Sequence, residues 1–236
     1  MPAPRLLIFD VFGTLVDWRG GVARGAAEQL GPLGVQLDWG DFADAWRAQY
    51  QPAMEEVRSG LRPFSKLDTL HRRNLDAVLQ AAGLTGRVDE ATRSRLNLAW
   101  HRLDAWPDVS RGLARLRTRF RVAPCSNGNV SLMADLARRN GWHWDAVLGA
   151  EFARAYKPQA SVYLAAAAAF DCDPAETVMV AAHSSDLAAA AAAGLRTAHI
   201  ARPHEQGAGR GEHAPNVPVD WAVDSLDALA DTLGLD

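Results

Sequence analysis

The sequence predicts an α/β fold in which a helical segment is inserted into a parallel sheet. Short, continuous apolar runs begin at residues 6–9 (LLIF) and recur from residue 121 onwards. Such runs are typical of strands that are buried on both faces, as in a parallel sheet. Helix-forming segments separate the later runs, which indicates right-handed crossovers between parallel strands. Between the first two runs, a long stretch contains no convincing strand.

Five strands and three crossover helices are expected from these patterns. The strands are expected at residues 6–9, 121–124, 146–148, 177–182 and 197–201. The helices are expected at residues 131–140, 160–170 and 186–193. The last of them contains six consecutive alanines, and alanine has the highest helix propensity. Residues 203–218 are rich in Gly, Pro and His, and we expect them to form an exposed loop.

The stretch between the first strand and the rest of the sheet is predicted to be helical. Amphipathic patterns predict helices at residues 41–57, 65–82 and 94–103. We therefore expect a Rossmann-like α/β core formed by residues 1–17 and 104–236, with a helical cap domain at residues 18–103. A separate N-terminal helical domain is the alternative, but it would leave the first strand outside it.

Composition excludes several classes of protein. Hydrophobic residues make up 48% and charged residues 22% of the 236 positions, which is typical of a globular protein. The net charge of −3 argues against nucleic acid as the main ligand, because phosphate binding requires a basic face. No apolar run approaches the ~20 residues that span a bilayer, and no export signal is recognisable. We therefore expect a cytoplasmic protein without a membrane partner, in which Cys125 and Cys172 are reduced thiols.

Polar residues follow the ends of the predicted strands. Asp10 follows the first strand, residues 126–128 (SNG) the second, and residues 183–186 (HSSD) the fourth, while Lys157 lies in a loop before a helix. Taken singly, Asp10, Ser126 and Asp186 could each be a helix cap. Ligands of parallel sheets bind outside the carboxyl ends of the strands, so these polar groups are expected to converge. Together they predict a binding or catalytic site.

The same segments resemble the four motifs of the haloacid dehalogenase superfamily. The motifs are residues 9–15 (FDVFGTL), residues 125–128 (CSNG), Lys157-Pro158, and Asp186 followed by the pair at 193–194 (AG). They occur in the family's order over most of the chain, with the helical insertion in its usual place. The resemblance implies that Asp10 is a nucleophile that forms a covalent aspartyl intermediate.

Phe12 indicates the branch of this superfamily. The magnesium-dependent phosphatases carry a second Asp two residues after the nucleophile, where it protonates the leaving alcohol. A phenyl ring cannot donate a proton, whereas a halide leaves as a stable anion and needs none. Halide displacement requires an ionised carboxylate, a dry cleft and donors for the anion. The chain therefore resembles the L-2-haloacid dehalogenases.

This resemblance implies a hydrolase that converts short 2-haloalkanoic acids, such as chloroacetate, fluoroacetate and L-2-haloacids, to 2-hydroxy acids. It implies no cofactor and no metal, and a homodimer is the assembly that it suggests. A magnesium-dependent small-molecule phosphatase is the first alternative, since Asp10 and Asp186 could hold the ion weakly. A non-catalytic binding protein that descends from the same fold is the second.

The resemblance also implies roles for individual residues. Lys157 would keep Asp10 ionised and orient it, and Asp186 would position or activate the hydrolytic water. Roles in binding substrate or halide are implied for Phe12, Thr14, Arg47, Ser126, Asn127 and Tyr163. In particular, Thr14 and Ser126 would hydrogen-bond the carboxylate of Asp10 or of the substrate. Tyr163 would support Lys157 and Asp186.

Residues 181–186 (AAHSSD) depart from the pattern of the better-known dehalogenases. His183 takes the place of an asparagine, and Ser185 that of a tryptophan. A neutral imidazole has a pKa near ~6.5 and can act as a general base. We therefore hypothesise that His183 helps to activate water. A purely structural hydrogen bond is the alternative.

Overall fold

The sheet consists of six parallel strands in the order β3-β2-β1-β4-β5-β6. The computed structural model describes residues 3–235. The strands are β1 Leu6–Phe9, β2 Arg121–Ser126, β3 Leu148–Gly149, β4 Thr177–Ala181, β5 Arg196–Ile200 and β6 Trp221–Val223. The α/β fold and the five predicted strands are therefore confirmed, and β6 is an additional edge strand. The predicted core limits include residues 1, 2 and 236, which lie outside the described part.

The central strand β1 explains the layered core. All four of its side chains are fully buried, and it pairs with β2 on one side and β4 on the other. Successive side chains of a strand point to opposite faces of the sheet. Leu7 and Phe9 accordingly join one apolar cluster, and Leu6 and Ile8 join a second cluster on the other face. The continuous LLIF run thus places helices on both faces.

Eleven α-helices are assigned in residues 3–235. Six lie between β1 and β2, and the first five of them are α1 Trp18–Leu30, α2 Trp39–Ala48, α3 Tyr50–Arg58, α4 Leu67–Ala81 and α5 Glu90–Asn97. The others are α6 Val109–Arg117, α7 Val130–Asn140, α8 Ala150–Ala153, α9 Ala160–Ala168, α10 Ser184–Ala192 and α11 Leu226–Thr232. The division into a core and a cap domain stays a prediction, because one apolar cluster extends from the sheet into the inserted helices.

The predicted helix at 41–57 is wrong in its continuity, because the structure has two helices there. Helix α2 ends at Ala48 and α3 begins at Tyr50. Pro52 has no backbone N–H, so it cannot donate the helical hydrogen bond to the carbonyl of Ala48. The break at Gln49 is therefore consistent with the proline three positions later.

The predicted helix at 94–103 is also displaced. Its first part belongs to α5, and residues Leu98–Arg102 form a 3-10 helix. The expectation of an exposed loop at 203–218 is wrong for Glu205, which is buried. Residues 3–235 contain no helix that is long and apolar enough to cross a membrane.

Candidate active site

Asp10 directly extends strand β1 into the site. Its backbone N–H donates to the carbonyl of Val180 at 3.0 Å, which continues the pairing with β4. Its Oδ2 atom accepts a hydrogen bond from Thr14 Oγ1 at 2.7 Å, and its Oδ1 atom accepts one from Lys157 Nζ at 2.9 Å. Thr14 Oγ1 in turn accepts from the N–H of Ala182 at 2.9 Å. The carboxylate is 7% exposed and held on both oxygens.

Lys157 lies between two carboxylates. Its backbone N–H donates to Asn127 Oδ1 at 2.8 Å, and its ammonium contacts both Asp10 and Asp186. Burial alone would lower the pKa of Lys157, but these two carboxylates raise it well above 10.5. Tyr163 donates its hydroxyl to Asp186 Oδ1, so both oxygens of Asp186 have donors.

The ionisation of Asp10 follows from its cationic neighbours. Burial by itself would raise the pKa of Asp10, because a charged carboxylate is poorly solvated there. The Lys157 ammonium and the His183 ring outweigh this effect and hold the pKa of Asp10 well below 3.8. The arrangement therefore supplies an ionised carboxylate in a buried position, as nucleophilic attack requires.

His183 lies between Asp10 and Glu205. Its Nδ1 atom is 3.2 Å from Asp10 Oδ2, and its Nε2 atom is 2.9 Å from Glu205 Oε2. Trp18 fixes Glu205 by donating its indole N–H to Oε1 at 2.8 Å. Burial would lower the pKa of His183, but the two carboxylates raise it to about 10. The two carboxylates thus favour the protonated ring in the free enzyme, and the role of His183 as a base stays a prediction.

Arg47 lies against three aromatic rings. Its guanidinium carbon is 4.0 Å from the ring centroid of Tyr50, 5.3 Å from that of Trp18 and 5.9 Å from that of Phe12. The Nη1 atom of Arg47 is buried, and it contacts no hydrogen-bond acceptor within residues 3–235. A buried donor without an acceptor is energetically unfavourable unless a ligand supplies one. These three rings form an aromatic box around the guanidinium. The buried N–H of Arg47 is therefore available to bind an anion.

A cavity of about 740 Å³ connects these groups. The residues predicted for the site that line it are Asp10, Phe12, Arg47, Asn127, Lys157, His183 and Asp186. Thr14, Ser126 and Tyr163 are fully buried behind this wall. The prediction that Ser126 bonds a carboxylate is not supported for Asp10, because the Ser126 hydroxyl accepts from the N–H of Gly128 at 3.0 Å instead.

Glu205 and Arg58 also line the cavity, although the sequence did not predict them as site residues. Arg58 donates from Nη1 to the carbonyl of Lys157 at 3.1 Å and so joins α3 to the loop that contains Lys157. Glu205 lies in an irregular Gly- and Pro-rich segment, where no periodicity marks a buried position. Gly13 has a φ of +85°, and a Cβ atom there would collide with the Glu205 side chain. This glycine is the only local signal of such a close approach.

No group of three or more His, Cys, Asp or Glu side chains in residues 3–235 is arranged to hold a metal ion. Asp10 and Asp186 are the carboxylates that the sequence suggested for magnesium. The ammonium of Lys157 lies between them and forms an ion pair with each.

A model of a known family matches residues 4–194, and its description is haloacid dehalogenase-like hydrolase. The chain belongs to this family. The predicted superfamily is thereby confirmed. (S)-2-haloacid dehalogenase 1 of Pseudomonas sp. (strain CBS-3) is 30% identical over 201 residues, which cover 84% of this chain and 85% of that protein.

Solved structures of haloacid dehalogenase-like hydrolases agree with this assignment. The crystal structure of a defluorinating L-2-haloacid dehalogenase has a TM-score of 0.95 and 41% identity, covering 98% of this chain and 95% of that one. The crystal structure of another L-2-haloacid dehalogenase has a TM-score of 0.92 and 42% identity, covering 98% of this chain and 99% of that one. The fold is therefore shared along nearly the whole chain.

Proposed function

We propose that the chain hydrolyses short 2-haloalkanoic acids through an ester on Asp10. The observation that carries this proposal is the buried, ionised carboxylate of Asp10 in the same cavity as a buried N–H of Arg47 for which residues 3–235 supply no acceptor. The first group can attack carbon, and the second can receive a halide. The names of the similar proteins, (S)-2-haloacid dehalogenase and defluorinating L-2-haloacid dehalogenase, support a haloacid substrate, with fluoroacetate among the candidates.

In the first step, an oxygen of Asp10 attacks C2 of the substrate. The new C–O bond forms as the C–halogen bond breaks, the halogen leaves with the bonding pair, and C2 is inverted. The N–H of Arg47 stabilises the departing anion, since preorganised donors act where charge develops. Phe12 is 2% exposed and forms an apolar wall beside the reacting atoms.

In the second step, water attacks the carbonyl carbon of the Asp10 ester and needs a base. Asp186 already accepts hydrogen bonds on both oxygens, which favours His183 for this role. When Asp10 becomes a neutral ester, it no longer raises the pKa of His183, and the imidazolium can release a proton to solvent. Nδ1 then accepts a proton from water, while Glu205 holds the N–H of Nε2.

Collapse of the tetrahedral intermediate completes the cycle. The bond between the Asp10 carbonyl carbon and the substrate oxygen breaks, and the 2-hydroxy acid leaves. Of the two protons of water, the leaving alkoxide takes one and His183 keeps the other. The Asp10 carboxylate and the imidazolium of the free enzyme are thereby restored.

Isotope labelling tests the ester directly. In heavy-oxygen water, a single turnover with excess enzyme is expected to label the Asp10 carboxylate and leave the product hydroxyl unlabelled. Mass spectrometry of the peptide that contains Asp10, and of the product, measures the two positions. Multiple turnovers are the control, because they carry the label into the product. Label that appears only in the product hydroxyl after one turnover would mean direct attack of water on C2.

A substrate screen separates this function from that of a phosphatase. The enzyme is expected to release halide from chloroacetate, fluoroacetate or 2-chloropropionate in the presence of a chelator, measured with halide electrodes. If the enzyme released no halide from any of these haloacids and hydrolysed phosphate esters in the presence of magnesium, the proposed function would be overturned.

His183→Ala is expected to slow hydrolysis of the Asp10 ester by about 10²-fold, a typical contribution of general-base catalysis. The halide burst should persist and the ester should accumulate, as seen by mass spectrometry after rapid quenching. Glu205→Gln is the matched variant, since it retains an acceptor for Nε2–H and removes the charge. The rising limb of its pH–rate profile should shift to lower pH, because one of the carboxylates that raise the pKa of His183 is gone. Normal ester hydrolysis in His183→Ala would exclude the base role.

We further propose that residues 18–103 act as a cap over an α/β core of residues 1–17 and 104–236. Arg47 and Arg58 support this, because they reach from the inserted helices into the cavity that contains Asp10.

We also propose that the chain forms a homodimer, and light scattering tests this oligomeric state. A cytoplasmic location is supported by Cys125 and Cys172, which are both buried and unpaired.

A further inference from the structure

A strap, defined as residues 202–216, joins β5 to β6 and lies against the beginning of α10. It has no regular secondary structure, yet it is tied to the core at its start. Arg202 donates from Nε to the carbonyl of Thr14 at 2.8 Å and from Nη2 to Asp108 at 2.9 Å. The strap also folds closely on itself, since a Cβ atom at Gly211 would lie 1.8 Å from the carbonyl oxygen of Arg202. These contacts fix the position of its next residue, Glu212.

The carboxylate of Glu212 binds the first residue of α10. It accepts the backbone N–H of Ser184 at 3.1 Å on each oxygen, and it also accepts the Ser184 hydroxyl. The hydroxyl oxygen of Ser184 accepts the N–H of Asn216 at 3.0 Å, from the end of the strap. The first N–H groups of a helix have no partner within the helix, and a carboxylate there is favourable. Ser184 is therefore clamped on its backbone and its side chain.

Ser184 lies between His183, the proposed base, and Asp186, which contacts Lys157 and Tyr163. His183 precedes it, and the N–H of Asp186 donates to the carbonyl of His183 at 3.1 Å. These residues form one rigid turn at the start of α10. A shift of Ser184 would consequently displace both the ring of His183 and the carboxylate of Asp186.

We propose that Glu212 is a positioning residue for hydrolysis of the ester. It acts through Ser184 and holds the first turn of α10, so that His183 keeps its Nδ1 atom beside the Asp10 carboxyl group. Glu212 does not line the cavity, so the proposal gives it an indirect role through Ser184. This inference rests on the proposed function, and it assigns Glu212 to the second half-reaction alone.

The separation of the two half-reactions gives a specific test. Attack on the substrate depends on Asp10, Arg47 and Lys157, none of which belongs to α10. Glu212→Ala is therefore expected to keep the rate constant of the halide burst within about 2-fold and to slow ester hydrolysis about 10-fold, a part of the ~10²-fold expected for loss of a general base. Where hydrolysis limits turnover, kcat and KM should fall together and kcat/KM should be retained. Rapid quenching measures both steps.

Two variants serve as controls. Glu212→Gln retains an oxygen that can accept the N–H of Ser184, and it should recover most of the hydrolysis rate. His213→Ala changes an exposed neighbour on the strap and should leave both steps unchanged. Equal slowing of both steps, or a smaller burst amplitude with unchanged rate constants, would reduce Glu212 to a structural role.

The outcomes also distinguish this inference from the proposed function. A wild-type enzyme that releases no halide overturns the proposed function. An active wild type, combined with normal ester hydrolysis in Glu212→Ala, overturns the role of Glu212 alone.

Discussion

Asp10→Asn is expected to lower the rate of halide release by roughly 10⁴-fold or more, the scale seen when a covalent nucleophile is removed from an enzyme. The neutral amide is a poor nucleophile towards an alkyl carbon, and it no longer attracts the Lys157 ammonium. Pre-steady-state measurement of halide with excess enzyme gives the rate constant of the attack itself. No ester should form at position 10.

The amide also changes the charge of a buried cluster, so folding must be measured in parallel. Lys157 and His183 each lose a carboxylate partner in Asp10→Asn. Circular dichroism and urea unfolding show whether the variant is folded under the assay conditions. A folded Asp10→Asn enzyme that keeps a substantial halide burst would mean that another group attacks the substrate.

Lys157→Met is expected to destabilise the protein by about 3–5 kcal/mol, because it leaves the carboxylates of Asp10 and Asp186 buried without their shared cation. Urea unfolding at neutral pH measures this loss. Halide release should also fall steeply. Without the ammonium, only the His183 ring opposes the effect of burial, so the pKa of Asp10 rises and the acid limb of the pH–rate profile moves to higher pH.

The effect on stability has a defined pH dependence. In the wild type the folded-state pKa of Asp10 is lowered, so its ionised form adds stability above the unfolded value of 3.8. That contribution is lost as the pH falls towards the lower folded-state pKa. In Lys157→Met the folded-state pKa is expected to lie above that of the wild type, and protonation of Asp10 relieves the buried charge. The difference in unfolding free energy between the two proteins should therefore shrink as the pH is lowered from 7 towards 4.

Lys66 provides the matched control, because it is the only other lysine in the sequence. Its side chain is 54% exposed and pairs with Glu151 at 2.9 Å. An exposed ion pair contributes about 0–1 kcal/mol, so Lys66→Met should change the unfolding free energy little. Similar losses in Lys66→Met and Lys157→Met would contradict the special role of the buried pair.

The sequence predicted the strands and the residues at their ends because both leave local signals. An apolar run such as LLIF must lie in a buried strand, and polar residues that follow such strands meet at one edge of a parallel sheet. Asp10, Asn127 and His183 were found in this way. Helix α1 was missed because three glycines, at positions 20, 21 and 25, mask its periodicity.

The charge of His183 and its partner Glu205 could not be predicted from local patterns. Glu205 lies 22 positions after His183, in a segment without periodicity, and reaches the site only because the strap crosses the carboxyl edge of the sheet. A pKa depends on such distant neighbours and on burial, and neither is visible in a motif. The position at a strand end therefore identified the histidine, and only the folded chain shows the two carboxylates that raise its pKa.

The charges around the cavity bear on what can enter it. Besides His183, its lining contains equal numbers of cationic and anionic side chains: Arg47, Arg58, Lys157 and Arg210, and Asp10, Asp44, Asp186 and Glu205. The pKa of His183 is raised by its carboxylate neighbours, so protonation of its ring gives the lining one surplus positive charge. A surplus of one sign raises the local concentration of ligands of the opposite sign. A haloacid carries one negative charge and brings the sum to zero.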